Sequence, residues 1–298
     1  MSEPRTVELP AVPGLGGLYG RGAAGAARLA LGGSRSRVRG PLPDVVYGVD
    51  GVRVDPAHLT AYQHLLGEPA TDALPAGFVH VLAFPVATAL MVRDDFPLPL
   101  LGMVHLANRV EQRRPLALGD VLAVRAHAEG LRPHAKGTQV DLVVEVSADG
   151  EVAWRGVSTY LAPGMRLPDA PREPAAERAA FEPPLPTGTW HLDAATGRRY
   201  GAVSGDRNPI HLSALTAKPF GFPRAIAHGM YTASRLLADV GAVRGPAFVW
   251  SVEFVKPVLL PGKVAVSVRP ADDGGHALAA WHARTGKPHV LGAVTPLG

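Results

Sequence analysis

The residues best suited to chemistry in this sequence are a carboxylate and an imidazole five positions apart, Asp206 and His211. Pro209 lies between them and stiffens the turn that they would share. Gly229 follows where the sequence indicates the start of a helix, and the first amides of a helix lack partners inside it. A carboxylate and an imidazole can move a proton, and free amides can stabilise a developing oxyanion. The spacing therefore predicts proton chemistry at a carbonyl compound.

Two simpler interpretations of the same residues stay open. Taken alone, an Asp-x(4)-His spacing is typical of a capped turn with a surface histidine. A metal centre would use the same residue types, but the twelve histidines form no His-Glu-x-x-His or comparable cluster, so we expect no metal. The neighbouring Ser-Gly, Asn-Pro and later His-Gly-Met sequences favour the proton-transfer interpretation.

The wider sequence Tyr200-Gly-Ala-Val-Ser-Gly-Asp-Arg-Asn-Pro-Ile-His211 resembles the signature of the MaoC-like (R)-specific enoyl-thioester hydratases. His228-Gly-Met230 lies at the spacing that this family uses. The whole chain resembles the single-chain (3R)-hydroxyacyl-thioester dehydratases. The resemblance implies an α+β double hot dog fold, in which each of two tandem units wraps an antiparallel sheet around a long helix.

The resemblance also implies a reaction, the reversible hydration of trans-2-enoyl thioesters to (3R)-3-hydroxyacyl thioesters, and a place in fatty acid metabolism. Asp206 and His211 would share the acid and base roles on water, in a division that the sequence leaves open, and the Gly229 amide would be the oxyanion donor. Substrate-binding roles are expected for five neighbours: Asn208, Phe222, His228, Met230 and Tyr231. His228 could equally be a packing residue. The alternatives are a hot dog thioesterase and a non-catalytic subunit that binds acyl thioesters.

Composition limits the other classes of function. With 47% hydrophobic and 19% charged residues, the 298-residue chain is typical of a globular protein with ample core material. The absence of cysteine excludes disulfides, thiolate catalysis and Cys-ligated zinc. No apolar run approaches the ~18 residues of a membrane span, and the N-terminus has no secretory pattern. We therefore expect a cytoplasmic protein without a membrane span.

Charge and the implied substrate limit the partners. The basic residues, with a net charge of +4, form no stripe with interleaved aromatics, which argues against nucleic acid. The positive charge could steer a phosphorylated cofactor or an acidic acyl carrier protein to the surface. We expect no bound cofactor, because coenzyme A or the phosphopantetheine of a carrier protein would enter as part of the acyl-thioester substrate. The chain should be a monomeric pseudo-dimer or a homodimer.

An internal repeat predicts the architecture. Four positions of the first half align without a gap with four of the second half: Asp55, Tyr62, Gly67 and Glu68 with Asp193, Tyr200, Gly205 and Asp206. Two further blocks match in the same order, one around Pro115 and Pro257 and one near the end of each half. The chain is therefore expected to contain two copies of one unit.

Four segments follow from this repeat. We expect an N-terminal extension, a degenerate hot dog unit, a proline-rich linker and a catalytic hot dog unit, at residues 1–44, 45–162, 163–186 and 187–298. Seven prolines fall between Pro163 and Pro186, with no usable periodicity. In the extension, five arginines between Arg21 and Arg39 lie in a glycine-rich tract, which is more typical of a flexible basic arm.

Periodicity indicates the elements that must position the candidate site. A buried helix face is predicted after Pro223, at Ile226, Met230, Ala233 and Leu237. Alternation with period two predicts strands in both copies, at Val264, Val266 and Val268 and at Val140, Leu142, Val144 and Val146. A long helix followed by antiparallel strands is typical of an α+β unit whose sheet wraps the helix.

The first copy lacks the candidate chemistry. Glu68 replaces the carboxylate, but an ungapped alignment places Ala73 at the position of His211. Phe84-Pro85 falls at the level of the His-Gly-Met sequence, and a proline has no amide proton to donate. We therefore expect one working site per chain, in the second copy, with Phe84 and Met91 of the first copy as candidates for lining the acyl tunnel.

Overall fold

The computed structural model describes residues 4–31, 37–38, 40–168 and 179–298. By its internal contacts the chain divides into two compact units. The first unit comprises Met1–Val52, Leu82–Leu106 and Val121–Arg178. The second unit comprises Arg53–Val81, Ala107–Asp120 and Ala179–Gly298. The second unit therefore holds the whole of the second repeat together with two segments of the first. The predicted linker falls partly outside the described residues, at 169–178.

The described residues form six α-helices: α1 Leu15–Leu31, α2 Pro56–Leu66, α3 Ala76–Met91, α4 Thr196–Ser204, α5 Ala214–Ala217 and α6 Gly229–Val240. Short 3-10 turns cover Pro209–His211, Lys218–Phe220 and Gly241–Arg244. None of the described helices has both the length and the apolar character needed to cross a membrane.

The strands are β1 Arg5–Glu8, β2 Val45–Val52, β3 Val104–Gln112, β4 Leu122–His134, β5 Gly137–Ala148, β6 Glu151–Pro163, β7 Gly188–Leu192, β8 Phe248–Phe254, β9 Gly262–Pro270, β10 His276–His282 and β11 Pro288–Pro296. Strands of the first unit follow the order β1-β2-β4-β5-β6, and those of the second unit follow β3-β8-β11-β10-β9-β7. Strand β1 is parallel to β2, whereas β4–β5, β5–β6 and the pairs among β7 to β11 are antiparallel.

The two repeats share one topology. In the first, β2, β4, β5 and β6 are successive neighbours, and in the second β7, β9, β10 and β11 occupy the same places. A short helix and a longer helix follow the first strand in both, α2 and α3 in one and α4 and α6 in the other. This arrangement confirms the predicted α+β double hot dog fold.

Burial confirms the predicted periodicity in α6 and β5 but not in β9, where Val264 to Ser267 are all buried. Ile226 is buried, but it lies before α6, in an isolated β-bridge with Leu259. Helix α6 buries Met230, Ala233 and Leu237. Alternate residues of β5, from Val140 to Val146, are also buried. Because apolar side chains at these spacings share one face of a helix or strand, each element turns one continuous apolar face to the core.

Glycine ends both short helices at the same place in the repeat. Gly67 after α2 and Gly205 after α4 have φ of 74° and 73°, in the left-handed region that favours glycine. Asp55 caps α2, since its side chain accepts from the Ala57 amide at 3.0 Å. Asp193 accepts in the same way from the Ala195 amide at 2.9 Å, but α4 begins only at Thr196, so Asp193 caps the turn before the helix.

The N-terminal extension is structured where it is described, contrary to the expected flexible arm. Strand β1 pairs with β2, and the first turn of α1 buries Leu15 and Leu18 against Ala89. Several alanines in α1 favour a helix, and this packing outweighs the cost of its glycines. Phe84 is partly buried and packs on the same cluster, and its contact with an acyl chain stays a prediction. Residues 32–36 and 39, where part of the arm was predicted, lie outside the described residues.

The structure corrects the alignment of the first copy beyond Glu68. Isolated β-bridges pair Ala73 with Ala117 and Ile226 with Leu259. These bridges make Ala73 the counterpart of Ile226 and not of His211. Between Asp206 and Ile226 the second copy has nineteen residues, whereas the first has four between Glu68 and Ala73. An ungapped alignment cannot accommodate an insertion of this size, and it therefore paired Ala73 with His211.

The same correction applies to the counterpart of Gly229. Three residues after the bridged positions, α3 begins at Ala76 and α6 begins at Gly229. Pro85 lies in the interior of α3, ten positions into the helix sequence. The first copy therefore has a backbone amide at this position, and the prediction that Pro85 removes it was wrong.

Candidate active site

The loop after α4 fixes the candidate carboxylate. Gly205 turns the chain in its left-handed conformation, and the Asp206 amide donates to Ser204 Oγ at 3.2 Å. Asp206 Oδ1 in turn accepts from the Asn208 amide at 3.1 Å. One carboxylate oxygen thus holds the loop, and the other, Oδ2, lies 3.7 Å from His228 Nε2.

Asn208 and Pro209 then position the candidate imidazole. The Asn208 side chain accepts from the Ile210 amide at 3.4 Å, and the His211 amide donates to the Asn208 carbonyl at 3.0 Å. These bonds close the single 3-10 turn Pro209–His211. Asn208 therefore shapes the turn, whereas its contact with substrate stays a prediction.

Two glycines of α4 allow this loop to lie directly on the helix backbone. Gly197 and Gly201 are one turn apart and face the loop. A Cβ at Gly197 would overlap the His211 carbonyl oxygen, and one at Gly201 would lie 2.8 Å from the Asp206 carbonyl oxygen. The Gly-x(3)-Gly spacing in the sequence was the available signal for this contact, and the sequence analysis did not use it.

His211 is buried and its orientation is fixed. Only 7% of the residue is exposed. Its Nδ1 lies 2.8 Å from the Ile226 carbonyl oxygen, so Nδ1 carries the proton and donates. The neutral ring therefore has its lone pair on Nε2, the atom that can accept a proton. Ile226 supplies this contact through its backbone, which no side-chain pattern reveals.

His228 connects the two candidate residues. Its Nε2 donates to the Asp206 carbonyl oxygen at 2.9 Å and lies 3.7 Å from Asp206 Oδ2. The ring stacks on His211, with centroids 3.6 Å apart and planes at 24°. The His228 Nδ1 atom is buried and has no hydrogen-bond partner among the described residues.

A carboxylate and two imidazoles converge here. One ligand atom each from Asp206, His211 and His228 lies within 4.8 Å of the other two. A water with two hydrogen bonds of ordinary length can bridge atoms at that separation. A metal ion needs lone pairs that converge, and the in-plane lone pairs of two stacked rings run side by side. The geometry therefore suits a shared water better than an ion.

Burial keeps the histidines of this region neutral. It lowers the pKa of His211 to about 3, and His228 acts in the same direction, while the Asp206 charge and the Ile226 carbonyl oppose it. Burial also lowers the pKa of His228, against the opposing effect of Asp206. At neutral pH His211 therefore has a free lone pair, as a proton acceptor requires.

His80 of α3 is a neighbour that the sequence analysis missed. It is buried, and burial lowers its pKa to about 4, while the Asp206 charge acts in the opposite direction. His80 belongs to the same compact unit as the site, through segment Arg53–Val81. The only signal for His80 in the sequence was a histidine within the otherwise apolar sequence of α3.

These histidines predict acid destabilisation of the fold. Their folded pKa values lie below the value of about 6.5 for an exposed histidine, so the unfolded chain binds more protons below that pH. The free energy of unfolding should be highest above pH 6.5. It should fall as the pH is lowered toward 4 and 3, where His80 and His211 titrate in the folded chain. Each histidine contributes a slope of about 1.4 kcal/mol per pH unit.

Urea denaturation at pH 7.5, 6.5 and 5.5 measures this slope. His80→Gln should make it shallower, by an amount that approaches one proton equivalent as the pH falls below 6.5, and His191→Gln, at an exposed position, is the control. A free energy of unfolding that is constant from pH 7 to pH 5 would contradict the assignment of buried neutral histidines.

Gly229 begins α6 directly after His228. None of the described backbone hydrogen bonds has the Gly229 amide as donor, as expected for the first residue of a helix. A Cβ at Gly229 would lie 2.9 Å from the Phe254 ring. The close approach of Phe254 therefore favours glycine here, and the Gly229 amide is free because it lies in the first turn of the helix.

The predicted substrate-binding residues have different environments. Met230 and Tyr231 are buried in α6. The Tyr231 ring packs edge-on against Tyr200, and its hydroxyl accepts from Arg235 at 3.0 Å. Phe222 is half-buried at the end of the inserted segment. Their contacts with an acyl chain stay predictions.

Comparisons with known proteins agree with this geometry. Residues 174–282 match the model of the MaoC like domain. The chain is 38% identical over 257 residues to 3-hydroxyacyl-thioester dehydratase X of Mycobacterium tuberculosis, covering 86% of this chain and 91% of that protein. A crystal structure of HtdX of Mycobacterium tuberculosis superimposes with a TM-score of 0.75 and 37% identity, over 85% of this chain and 100% of that one.

A second relative matches a shorter part of the chain. The chain is 39% identical over 77 residues to 3-hydroxybutyryl-CoA dehydratase of Methylorubrum extorquens, which is 24% of this chain and 49% of that protein. The dehydratase X of Mycobacterium tuberculosis matches this chain over almost its whole length. The residues matched by the domain model include Asp206, His211 and Gly229. The chain therefore belongs to the MaoC-like dehydratase family, in its single-chain form.

Proposed function

We propose that this chain is a 3-hydroxyacyl-thioester dehydratase, which in reverse hydrates trans-2-enoyl thioesters to (3R)-3-hydroxyacyl thioesters. The observation that carries the proposal is the convergence of Asp206, His211 and His228 within 4.8 Å, where one water can contact a carboxylate and a neutral imidazole. The names of two relatives support dehydration of a thioester. The (3R) configuration rests on the resemblance of the site sequence to (R)-specific hydratases.

Hydration moves two protons and forms one carbon–oxygen bond. As the water oxygen bonds to the β-carbon, one member of the Asp206–His211 pair takes a proton from it. Electrons move from the double bond onto the thioester oxygen, which becomes an enolate. The pair then returns a proton to the α-carbon, and its own protonation is restored. Dehydration follows the same steps in reverse.

The enolate oxygen needs donors that do not have to reorganise. The Gly229 amide is free at the N-terminal end of α6, where the helix dipole also favours negative charge. His228 holds the Asp206 carbonyl and stacks on His211, so it fixes the distance between the pair and this amide. We therefore assign His228 a positioning role.

The first copy offers no equivalent pair. Glu68, the counterpart of Asp206, has a side chain only 2% exposed, and Arg244 Nη2 binds its carboxylate at 3.2 Å. The inserted segment that carries His211 has no counterpart between Glu68 and Ala73. We therefore propose one working site per chain, and titration with a tight substrate analogue should give one equivalent.

Two helices of the first copy pack against the helices that carry the proposed site, which supports a role for the first copy as partner surface. Within the second compact unit, His58 Nε2 of α2 donates to the Val203 carbonyl of α4 at 2.6 Å. Gly77 of α3 lies against Ser234 of α6, so closely that a Cβ would overlap its hydroxyl. No bound cofactor is part of the proposal, because the carrier of the thioester arrives with the substrate.

The test is direct turnover. Purified protein is given enoyl-CoA substrates of several chain lengths, and the loss of enoyl absorbance, the release of free thiol and the chirality of the product are followed. We expect loss of absorbance without thiol release and a (3R) product. Release of thiol would indicate a thioesterase, and binding without turnover would indicate an acyl-binding subunit.

Gly197→Ala should lower kcat by about 100-fold, because it misplaces the imidazole without changing any side chain of the pair. The new Cβ overlaps the His211 carbonyl oxygen, so the turn must retreat from α4 by roughly an ångström, a displacement that costs about two orders of magnitude in a positioned reaction. Steady-state kinetics of crotonyl-CoA hydration measures the effect.

Gly17→Ala is the matched control, since it places the same methyl group in helix α1, where nothing lies within 4 Å. It should retain wild-type kinetics and stabilise the helix by up to about 1 kcal/mol. If Gly197→Ala is as active as this control, the loop does not need its close approach to α4 for function.

A further inference from the structure

Charge is unequally divided between the two copies. Residues 194–238, which carry the site, contain six Lys or Arg residues and one acidic residue, and with the flanking Asp193, which pairs with Arg199, and Asp239 the net charge is +3. The whole chain has a net charge of only +4. The corresponding residues 56–85 of the first copy contain no Lys or Arg and two acidic residues. The positive charge of the chain is thus concentrated around the proposed site.

Much of this charge is on the segment that only the second copy has. Residues 207–225 carry three exposed cations, Arg207, Lys218 and Arg224. None of the three forms an ion pair with any residue that the structure describes. The same segment exposes two apolar side chains, Leu215 at 79% and Phe220 at 39%.

Internal hydrogen bonds hold this segment in place. Ser213 and Thr216 form a capping box around α5. Thr216 Oγ1 also donates to the Pro209 carbonyl at 2.7 Å, which ties α5 to the turn that ends at His211. Arg198 Nη1 of α4 donates to the Leu212 carbonyl at 3.0 Å. The exposed side chains are therefore presented by an ordered segment next to the catalytic imidazole.

We propose that the surface formed by Arg207, Leu215, Lys218, Phe220 and Arg224, the 207–224 surface, docks an acidic carrier protein that delivers the acyl group as a phosphopantetheine thioester. The inference rests on the proposed function and names the carrier of its substrate. Its cations complement an acidic protein surface, and its exposed leucine and phenylalanine provide the apolar contact that a protein–protein interface requires.

Coenzyme A, a small nucleotide carrier, fits this surface less well than a carrier protein does. Phosphates of a small ligand are held by donors that converge in a partly buried site, whereas these cations are exposed and are spread over the segment. Exposed charges contribute little to the affinity for a small ion. They do accelerate the encounter with a large, oppositely charged partner, and this acceleration falls with ionic strength.

The test compares two forms of one substrate. The double variant Leu215→Glu/Lys218→Glu places two negative charges on the 207–224 surface and leaves the proposed catalytic residues unchanged. Lys136→Glu, at an exposed position between β4 and β5, is the control for charge alone. Hydration is measured with a crotonyl group on a bacterial acyl carrier protein and on coenzyme A, and binding of the acyl-free holo carrier protein is measured separately.

We expect the double variant to lose at least ~10-fold in kcat/KM on the carrier-protein substrate and less than ~2-fold on the coenzyme A substrate, with Lys136→Glu near wild type on both. Added salt should reduce the wild-type advantage on the carrier-protein substrate. Equal losses on both substrates, a loss on coenzyme A alone, or no loss on either would overturn the docking proposal.

Binding separates this inference from the proposed reaction. If the wild-type chain hydrates neither substrate, the proposed function fails, yet binding of the holo carrier protein that the double variant loses would still support the docking surface. If the wild-type chain hydrates crotonyl-CoA but does not bind the holo carrier protein, the reaction stands and the docking proposal is refuted.

Discussion

Asp206→Asn and His211→Asn should each lower kcat for enoyl-thioester hydration by at least ~100-fold, the scale of a lost general acid or base. One ligand atom of Asp206 and one of His211 lie within 4.8 Å of each other, so one water can contact both residues. Neither asparagine can accept and return a proton at neutral pH, so each variant keeps the shape of the site but loses one half of the proton transfer.

Asparagine is the appropriate replacement for His211 because the ring is buried and hydrogen-bonded. The sequence alone indicates a turn whose residues could be changed freely, but His211 is 7% exposed and donates to Ile226 at 2.8 Å. Alanine would leave a cavity and an unpaired carbonyl, whereas an asparagine amide can still donate to Ile226. His191→Asn, at an exposed position of β7, is the control.

Kinetics of crotonyl-CoA hydration and urea unfolding midpoints should be measured on the same samples. A loss of kcat with an unchanged midpoint assigns the effect to chemistry. Hydration within a few-fold of wild type by Asp206→Asn or His211→Asn would remove that residue from the mechanism.

Local features of the site could be predicted from the sequence. Asp206, Asn208 and His211 lie within six residues of each other, and a capped 3-10 turn is enough to bring them together. The buried face of α6 follows from its spacing, and the repeat is visible because short matched blocks keep their order. Each of these predictions depends on neighbours that are close in the chain.

What the sequence could not provide depends on distant contacts. Gly197 is required because the backbone of His211 lies on it, and Gly229 because Phe254 of β8 does. The counterpart of Gly229 in the first copy was misplaced at Pro85, since the inserted segment after Asp206 breaks the alignment. Only the strand bridges at Ala73 and Ile226, which join residues more than thirty positions apart, restore the correspondence.

Gly229→Pro should lower kcat by at least another ~100-fold relative to Gly229→Ala, because it deletes the amide proposed to bind the enolate oxygen. Loss of one preorganised donor costs roughly 3 kcal/mol in sites of this kind. Proline is tolerated at the first position of a helix. The preceding residue, His228, already has φ −62° and ψ 138°, the extended conformation that a residue before proline adopts.

The comparison of Gly229→Pro with Gly229→Ala separates the loss of the N–H donor from the crowding caused by an added Cβ. Both substitutions add a Cβ that meets the Phe254 ring at 2.9 Å, so both carry the same crowding. Only proline lacks the N–H group. Phe254→Leu in both backgrounds should relieve the crowding and raise both activities, while the difference between proline and alanine persists. If Gly229→Pro and Gly229→Ala have equal kcat in the relieved background, the enolate oxygen is not bound by this amide, and the oxyanion donor must be sought elsewhere in the first turn of α6.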